Sequence, residues 1–246
     1  MSRLLLVTGA SAGIGAAVAR LAPSQGWERV VVHYGRDREG AEAVAGDIRA
    51  EGAEALVMQA DVADMSAIAG LFARISELPS GPLDLVNNAG IVSPGGPIAE
   101  RTPEVVRRVF EVNVFGAFEV ARQAVAYMRA HEGGGIVNIS SAAARLGSAG
   151  MYIDYAASKG AIDTMTLGLA DELAAEGIRV NAVRPGLIET AIHAKGNDPD
   201  RLARIGHTPP LGRPGAASEV AEGVLWLLSD KASYVTRTIL DVTGGR

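Results

Sequence analysis

The sequence near the start of the chain reads Leu4-Leu5-Leu6-Val7-Thr8-Gly9-Ala10-Ser11-Ala12-Gly13-Ile14-Gly15, an apolar run that leads directly into a glycine-rich turn. A helical run from Ala16 to Leu21 follows the turn. Glycines let the backbone approach a phosphate closely, and the N–H groups that open a helix carry partial positive charge. The segment therefore predicts a first strand, a phosphate-binding turn and a first helix, although a plain strand-to-helix turn has the same pattern.

Further short apolar runs follow along the chain and alternate with longer helical patterns. Such alternation is typical of a parallel sheet with helices on both faces. Thr102-Pro103 and Ser218-Glu219 both indicate helix starts, with a hydroxyl residue as the N-cap. We therefore expect an α/β fold with a doubly wound parallel sheet of about seven strands. After Leu4–Val7, the runs are Val30–Val32, Ala55–Met58, Leu83–Val86, Ile136–Ile139, Val180–Val183 and Ile239–Val242.

Length and composition favour one domain over residues 1–246. With 246 residues, 48% hydrophobic content and 30 glycines, the chain is long enough for one large α/β domain with a substantial core. One long polar stretch, from Glu189 to Pro214, is rich in Gly, Pro, Asn and Asp and lacks a strand pattern. We expect a substrate lid at 187–214.

Several classes of protein are disfavoured by the composition. The chain has no cysteine, which indicates a reducing cytoplasm, and its four histidines do not have the spacing of metal ligands. The apolar run at the start is too short for a signal segment or a membrane span. A net charge of −5 with interspersed signs argues against nucleic-acid binding. A small-molecule ligand is therefore favoured, with no metal, nucleic acid or membrane as partner.

A phenol and an ammonium stand four residues apart in Tyr155-Ala156-Ala157-Ser158-Lys159. In a helix this spacing places both side chains on one face. A free tyrosine titrates near 10, so it is a poor proton donor or acceptor at neutral pH unless a nearby cation favours its phenolate. Lys159 has the position for that cation. An isolated Tyr-x-x-x-Lys is more often a packing tyrosine beside a solvated lysine, so the functional interpretation depends on the rest of the chain.

Seven motifs occur in the order in which one known family carries them. Over essentially its whole length the chain resembles the short-chain dehydrogenase/reductase family. The resemblance implies a single Rossmann-type domain that binds a nicotinamide cofactor and interconverts an alcohol and a carbonyl by hydride transfer. Every motif lies at the carboxyl end of an expected strand or on an adjacent helix, where open parallel sheets bind ligands. The motifs are Thr8–Gly15, Asp61-Val62, Asn87–Gly90, Asn113 within Asn-Val-Phe-Gly, Asn138–Ser141, Tyr155–Lys159 and Pro185-Gly186.

The resemblance implies four catalytic residues. Tyr155 is the expected general acid/base for the substrate oxygen, and Lys159 is expected to lower its pKa and to bind the nicotinamide ribose. Ser141 is expected to donate a hydrogen bond to the carbonyl oxygen as charge develops there. Asn113 is similar to the family's helix-kinking asparagine, which helps to hold a water in a proton relay. Tyr152 is a rival phenol, but no lysine lies four residues beyond it.

The resemblance also implies a set of cofactor contacts. Asp61 and Val62 match the positions that hold the adenine ring, and residues Asn88 to Gly90 are expected to line the cofactor through backbone groups. Thr190 resembles a threonine that contacts the nicotinamide carboxamide. Ordinary turn chemistry is the alternative interpretation of these residues. The full expected set is Gly9, Ser11, Gly13, Ile14, Gly15, Tyr34, Arg36, Asp61, Val62, Asn88, Ala89, Gly90, Tyr155, Lys159, Pro185, Gly186, Ile188 and Thr190.

The choice between NADP and NAD depends on the residues after the second strand. An NAD site needs a carboxylate on the ribose 2′-hydroxyl, whereas an NADP site needs a cation on the 2′-phosphate. The strand-end position is Tyr34, and Arg36 follows two residues later, so we expect NADP to be preferred. Asp37 keeps NAD open as the alternative, because its distance from the glycine turn also suits a ribose carboxylate. It also suits the N-cap of a helix over Arg38–Ala50.

The expected reaction is reduction of a 3-oxoacyl-type substrate or a small ketone, and a sugar or polyol dehydrogenase is the alternative. A non-catalytic dinucleotide-binding sensor is the alternative from another class; it needs the glycine turn but not the full catalytic set. Substrate contacts are expected from Ser93–Pro97, Ala142–Tyr152 and the lid. The family resemblance and the long apolar helical stretches at Val105–Val125 and Ile162–Leu173 predict a homo-oligomer, expected to be a tetramer.

Overall fold

The structure is a computed structural model, and it describes residues 3–190, 198 and 200–246. Its centre is a seven-stranded sheet in the order β3-β2-β1-β4-β5-β6-β7, with every pairing parallel. This confirms the predicted α/β fold and the predicted number of strands. The strands are β1 (Leu4–Val7), β2 (Arg29–Tyr34), β3 (Glu54–Gln59), β4 (Leu83–Asn87), β5 (Gly134–Ile139), β6 (Arg179–Pro185) and β7 (Ile239–Val242).

Helices lie on both faces of the sheet. They are α1 (Gly13–Leu21), α2 (Arg38–Ala50), α3 (Met65–Ser76), α4 (Pro103–Phe110), α5 (Ala117–Ala130), α6 (Ala143–Leu146), α7 (Ile153–Leu173), α8 (Arg201–Ile205) and α9 (Ala217–Leu228). Helices α1, α2 and α9 bury their apolar stripes against one face, and α3, α5 and α7 bury theirs against the other. A π-helical segment, Glu111–Gly116, joins α4 to α5, and 3-10 turns occur at Pro23–Gln25, Ile98–Glu100, Ala174–Glu176 and Asp230–Ala232.

The two predicted helix starts have different outcomes. Thr102 is the N-cap of α4, where its side chain accepts from the Val105 N–H, and a proline occupies the first helical position. Ser218 is not the cap of α9, because that helix begins one residue earlier and its N-cap is Ala216. The Glu219 carboxylate accepts from the Ala216 N–H at 2.8 Å, so a residue inside the helix satisfies the donor at its start.

The expected lid at 187–214 lies partly outside the described residues, since 191–197 and 199 are not among them. Of the described part, Ile188 forms a parallel bridge with Gly215, and α8 precedes the return to α9. In the described ranges no helix is long and apolar enough to cross a membrane.

The order of the strands places a crevice beside β1. From β1 the chain moves outward to β2 and β3, and then returns to the opposite side of β1 with β4. The loops that leave the carboxyl ends of β1 and β4 therefore diverge, and a crevice opens between them. In open α/β sheets this reversal is the usual place for a ligand.

Candidate active site

A cavity of about 1080 Å³ opens above the carboxyl ends of the central strands. We call it the first cavity. Its lining comes from the loops after β1, β2, β3, β4, β5 and β6 and from α7, so residues distant in sequence meet there. Most of the predicted cofactor contacts belong to this lining, including Arg36, Val62, Pro185 and Thr190. Gly15 and Tyr34 are the exceptions among them, and Asn113, which was predicted as a catalytic residue, is also absent from this lining.

The glycine turn after β1 is shaped to leave backbone donors open to the first cavity. Gly9 has φ 64°, and a Cβ on it would lie 3.0 Å from the Cα of Ala89, so the backbone there requires glycine. Gly13 has φ 59° at the first residue of α1. The N-cap of α1 is Ala12, which makes no side-chain cap hydrogen bond. The first N–H groups of α1 are thus available to an anion.

Gly15 packs behind the turn, although we expected it to contact the cofactor. A Cβ at this position would lie 2.5 Å from both the Asn88 Nδ2 and the Gly9 carbonyl oxygen. Its role is therefore to let the first turn of α1 lie close to the loop after β4. A glycine that contacts the cofactor and a glycine that packs behind the turn have the same spacing in the sequence. Only the structure distinguishes the two roles.

Hydrogen bonds fix the loop after β4 to the loop after β1. The Thr8 hydroxyl oxygen accepts from the backbone N–H groups of Asn88 at 2.8 Å and Ala89 at 2.9 Å. The side-chain amide of Asn88 donates to the Thr8 and Gly9 carbonyls at 2.8 and 3.1 Å. Asn88, Ala89 and Gly90 consequently line the first cavity in a fixed position.

His33, which the sequence analysis did not select, supports the same turn. Its Nδ1 accepts from the Gly9 N–H at 3.1 Å, and its Nε2 lies 3.1 Å from the Ala60 carbonyl oxygen. These contacts assign the proton to Nε2. Burial lowers the pKa of His33 from 6.5 to about 4, despite opposing effects of the Ala60 hydrogen bond and the Asp61 charge. The ring is therefore neutral at pH 7, which preserves the acceptor for Gly9.

The choice between NADP and NAD was predicted to depend on three residues at and just after the end of β2. Their surroundings in the structure differ. Tyr34 packs its ring against the apolar core on the α1 face, so the structure does not bring it into the first cavity. Arg36 is exposed at the rim of the cavity, and within the described ranges its guanidinium has no hydrogen-bond or ion-pair partner. Asp37 also lines the cavity, but its carboxylate accepts from the Gly40 N–H at 3.0 Å and caps α2.

The two ends of the first cavity carry the remaining expected contacts. Asp61 and Val62 line the end after β3, where Asp61 accepts from the Ala63 N–H at 3.0 Å and lies 3.5 Å from an Arg108 guanidinium nitrogen. Pro185, Gly186, Ile188 and Thr190 line the part after β6. The cavity is thus long, with a charged end near β3 and a more apolar end near β6.

Ser141, Tyr155 and Lys159 meet in the wall of the first cavity near α7. The Lys159 ammonium donates to the Ile139 carbonyl at 2.6 Å and lies 5.7 Å from the centre of the Tyr155 ring. Burial lowers the pKa of Lys159 from 10.5 to about 8, and the charge of Asp163, one turn further along α7, opposes this shift. The lysine is therefore a buried cation at neutral pH, held next to the phenol.

The environment of Tyr155 differs in one respect from the sequence-based expectation. Burial raises the pKa of the Tyr155 phenol above its usual value near 10, and a hydrogen bond with the Ser141 side chain lowers it in part. We expected Lys159 to lower the pKa of Tyr155, but the net direction is upward, because the cost of removing the phenolate from water outweighs the hydrogen bond with Ser141. In this arrangement the phenol retains its proton at neutral pH and can donate it.

Asn113 is almost fully buried and lies between Ile91, in the loop after β4, and Ser158 of α7. Its Oδ1 accepts from the Ile91 N–H at 2.8 Å, and its Nδ2 donates to the Ile91 carbonyl and to the Ser158 hydroxyl at 2.9 and 3.0 Å. It belongs to the π-helical segment, which fits an asparagine that distorts a helix. The side chain connects three elements, namely the loop after β4, the π-helical segment and α7.

A second cavity, of about 410 Å³, adjoins the first and shares Val92, Ser141, Tyr155 and Gly186 with it. Residues from the expected range Ala142–Tyr152 line it, among them Leu146 and Tyr152. The other expected range, Ser93–Pro97, does not contribute to its described lining. The hydroxyls of Ser141 and Tyr155 therefore stand where a long cavity meets a smaller one.

Comparison with protein-family models identifies the chain. A model described as enoyl-(acyl carrier protein) reductase, which represents short-chain dehydrogenases/reductases, matches residues 9–246. The chain belongs to the short-chain dehydrogenase/reductase family. Members of this family are oxidoreductases that bind NAD(P) and act on alcohol or carbonyl groups of small molecules, so the chain is an oxidoreductase of that type.

Individual relatives in the short-chain dehydrogenase/reductase family match nearly the whole chain. An uncharacterized oxidoreductase of Escherichia coli is 47% identical over an alignment of 246 positions that covers 99% of each protein. A cis-4-hydroxycyclohexanecarboxylate dehydrogenase of Sinomonas cyclohexanicum is 40% identical, and the alignment covers 99% of this chain and 96% of the relative. A 3-oxoacyl-(acyl-carrier-protein) reductase of Staphylococcus aureus is 36% identical, with 100% of this chain and 98% of its own length covered.

Proposed function

We propose that the protein is an NADP-preferring oxidoreductase that reduces a 3-oxoacyl-type substrate or a small ketone to the secondary alcohol. The observation that carries this proposal is the meeting of Ser141 and Tyr155 at the junction of the two cavities, with Lys159 beside Tyr155 in the wall of the larger one. A cofactor in the larger cavity and a carbonyl compound in the smaller one would both reach Ser141 and Tyr155.

The residues that line the first cavity fit a nicotinamide dinucleotide. The open N–H groups at the start of α1 suit its pyrophosphate, and Asp61 with Val62 suits the adenine end. Lys159 would bind the nicotinamide ribose, while Thr190 at the other end would contact the carboxamide. When bound, the nicotinamide supplies the hydride that reduces the carbonyl carbon.

The side chains of the chain then supply the proton and hold the developing charge. Ser141 donates a hydrogen bond to the carbonyl oxygen, and Tyr155 transfers its phenolic proton to that oxygen as the alcohol forms. The buried ammonium of Lys159 stabilises the phenolate that remains. Asn113 holds the loop after β4 and α7 in register, and it would help to position a water that returns the proton.

The named relatives and the second cavity support a ketone substrate over a sugar. Two relatives are named as a hydroxycyclohexanecarboxylate dehydrogenase and a 3-oxoacyl reductase, which act on carbonyl groups or alcohols of largely apolar frames. Val92, Leu146, Met151 and Leu187 form much of the wall of the second cavity, whereas the many hydroxyls of a polyol need polar partners. A non-catalytic sensor would have no use for the complete set of proton-transfer groups.

We also propose that the protein works as a homotetramer in the cytoplasm. Family members commonly oligomerise, and two exposed rings lie close together in sequence, Phe115 in the π-helical segment (57% exposed) and Phe118 in α5 (51% exposed). Exposed aromatic rings at neighbouring positions on one helical segment suit contact with a second copy. The chain has no cysteine, which suits a reducing compartment.

Replacing Arg36 by Ala is expected to erode the preference for NADPH and to leave NADH kinetics almost unchanged. An exposed guanidinium that binds a phosphate is worth about ten- to a hundredfold in the specificity ratio. The measurement is kcat/KM for both cofactors with the wild type and the variant. Arg38→Ala is the matched control, because Arg38 is an exposed arginine outside the described cavity lining. If the wild type instead prefers NADH and Asp37→Ala abolishes that preference, then Asp37 is the residue that binds the ribose.

The proposed function is tested by assaying ketones, 3-oxoacyl thioesters, an enoyl thioester and sugars with NADPH and with NADH. We expect turnover of carbonyl compounds and little turnover of sugars. Turnover of the enoyl thioester alone would place the activity on carbon–carbon double bonds and overturn the proposed reaction. Tight cofactor binding without turnover of any compound would favour the sensor.

A further inference from the structure

The second cavity has one charged residue among the described residues that line it, namely Arg246. The rest of the wall is apolar or carries hydroxyls, with Ser141 and Tyr155 at the junction with the first cavity. At about 410 Å³ the cavity falls in the range of small-ligand sites. It therefore offers a compact apolar space with a proton donor and a cation in its wall.

The backbone that carries Arg246 is held in place. Gly244 and Gly245 have φ values of 64° and 91°, a conformation that favours glycine, and they turn the chain toward the cavity. The Gly244 carbonyl accepts from the Leu211 N–H at 3.1 Å. The Arg145 guanidinium donates to the backbone carbonyl of Arg246 at 2.7 Å. The position of Arg246 is thus fixed from two sides.

The guanidinium of Arg246 differs from its neighbours in that no described Asp or Glu side chain pairs with it. Arg145 is paired with Asp241 at 3.1 Å, and Arg184 is paired with Asp163 at 2.8 Å. For Arg246, no described residue supplies a side-chain hydrogen bond or an ion pair to the guanidinium. A half-buried cation of this kind gains most from an anion that binds with its own hydrogen-bond acceptors.

We propose that Arg246 binds a carboxylate of the substrate, so that the preferred substrates are oxo acids on a compact apolar frame and the corresponding hydroxy acids. The inference rests on the proposed function and specifies its substrate class. Ser141 and Tyr155 hold the carbonyl oxygen, the apolar wall surrounds the carbon frame, and the guanidinium binds the carboxylate. One hydride and one proton convert the carbonyl into the alcohol, and the carboxylate remains unchanged.

The test compares two cyclohexanones that differ in charge but little in size. One carries a carboxylate on the ring carbon opposite the ketone, and the other carries a primary carboxamide there. With the wild type, kcat/KM for the oxo acid should exceed that for the oxo amide by about ten- to a hundredfold. In Arg246→Gln this ratio should fall close to one, mainly through KM of the acid, while kinetics with the amide change little. Arg246→Lys, which keeps a charge, should restore part of the preference.

Arg107→Gln is the matched control, because it removes one positive charge from an exposed position on α4 that belongs to the lining of neither cavity. It should keep the wild-type ratio. A wild type that reduces acid and amide equally well, or an Arg246→Gln variant that keeps the preference for the acid, would overturn the inference and leave the proposed function intact. Failure to reduce either compound or any uncharged ketone would overturn both.

Discussion

Tyr155→Phe is expected to lose nearly all turnover and to bind NADPH almost as tightly as the wild type. The substitution removes only the hydroxyl, which is the group that we assign to proton transfer, and keeps the ring that packs beside Lys159. Loss of a positioned general acid lowers turnover by about a hundred- to ten-thousandfold. Steady-state kinetics measure the first effect, and titration of the NADPH fluorescence measures the second.

Tyr152→Phe is the matched comparison for this prediction. Both phenols line the second cavity, and they are three residues apart in the chain. If Tyr155 is the acid, removing the other hydroxyl should cost at most about tenfold, the loss of a single neutral hydrogen bond. Wild-type turnover in Tyr155→Phe, together with an inactive Tyr152→Phe, would transfer the role to Tyr152.

Lys159→Ala is expected to impair both turnover and cofactor binding, because one ammonium is assigned two roles. The loss of a charged hydrogen bond to the ribose should raise the Kd for NADPH by about ten- to a hundredfold. Turnover should fall further, since no buried cation remains to stabilise the phenolate. The measurements are fluorescence titration and steady-state kinetics, with Lys231→Ala as a control at an exposed lysine.

The pH dependence of turnover provides a second test of the role predicted for Lys159. The pKa of Lys159 is about 8 in the folded protein, so the ammonium is present below that pH and is lost as the pH rises through it. Wild-type turnover should therefore decline above about pH 8, whereas Lys159→Ala should lack this decline. An unchanged Kd for NADPH in Lys159→Ala would show that Lys159 does not bind the ribose. If turnover of Lys159→Ala still declined above pH 8, the group that titrates there would be one other than Lys159.

Much of the fold can be predicted from the sequence because the buried strands are short continuous apolar runs. The polar ends of strands are harder to predict, since they depend on pairing. In β2 the strand extends to Arg29 and Tyr34 because these residues pair with Glu54 and Gln59 of β3. The start of α9 was misplaced because the helix begins at Ala217 with Ala216 as its N-cap, so Ser218 lies inside the first turn, and Glu219 accepts from the Ala216 N–H.

The candidate site can be predicted where a motif places chemistry on one element, as with Tyr155 and Lys159 on α7. It cannot be predicted where a contact joins distant parts of the chain. His33 binds the Gly9 N–H across 24 residues, and Gly15 packs against Asn88 from another loop. Tyr34 was assigned to the cofactor from its place in the sequence, but in the sheet its ring packs on the core.

The second cavity shows the same limit more clearly. Its wall combines residues from α6, α7, the loop after β6 and Arg246, and no local pattern connects these segments. The sequence identified the range Ala142–Tyr152 as a source of substrate contacts, but it offered no signal for Arg246, which lies 91 residues beyond Tyr155. The substrate class can therefore be inferred only once the folded structure is known.

The most direct test of the account is the fate of deuterium carried by the hydride-donating carbon of labelled NADPH. The wild type should reduce a ketone to an alcohol with a single deuterium on the carbinol carbon, as measured by mass spectrometry, and Tyr155→Phe should form almost none of it. A product without deuterium, or with deuterium only on the carbon of a former carbon–carbon double bond, would contradict hydride transfer to a carbonyl.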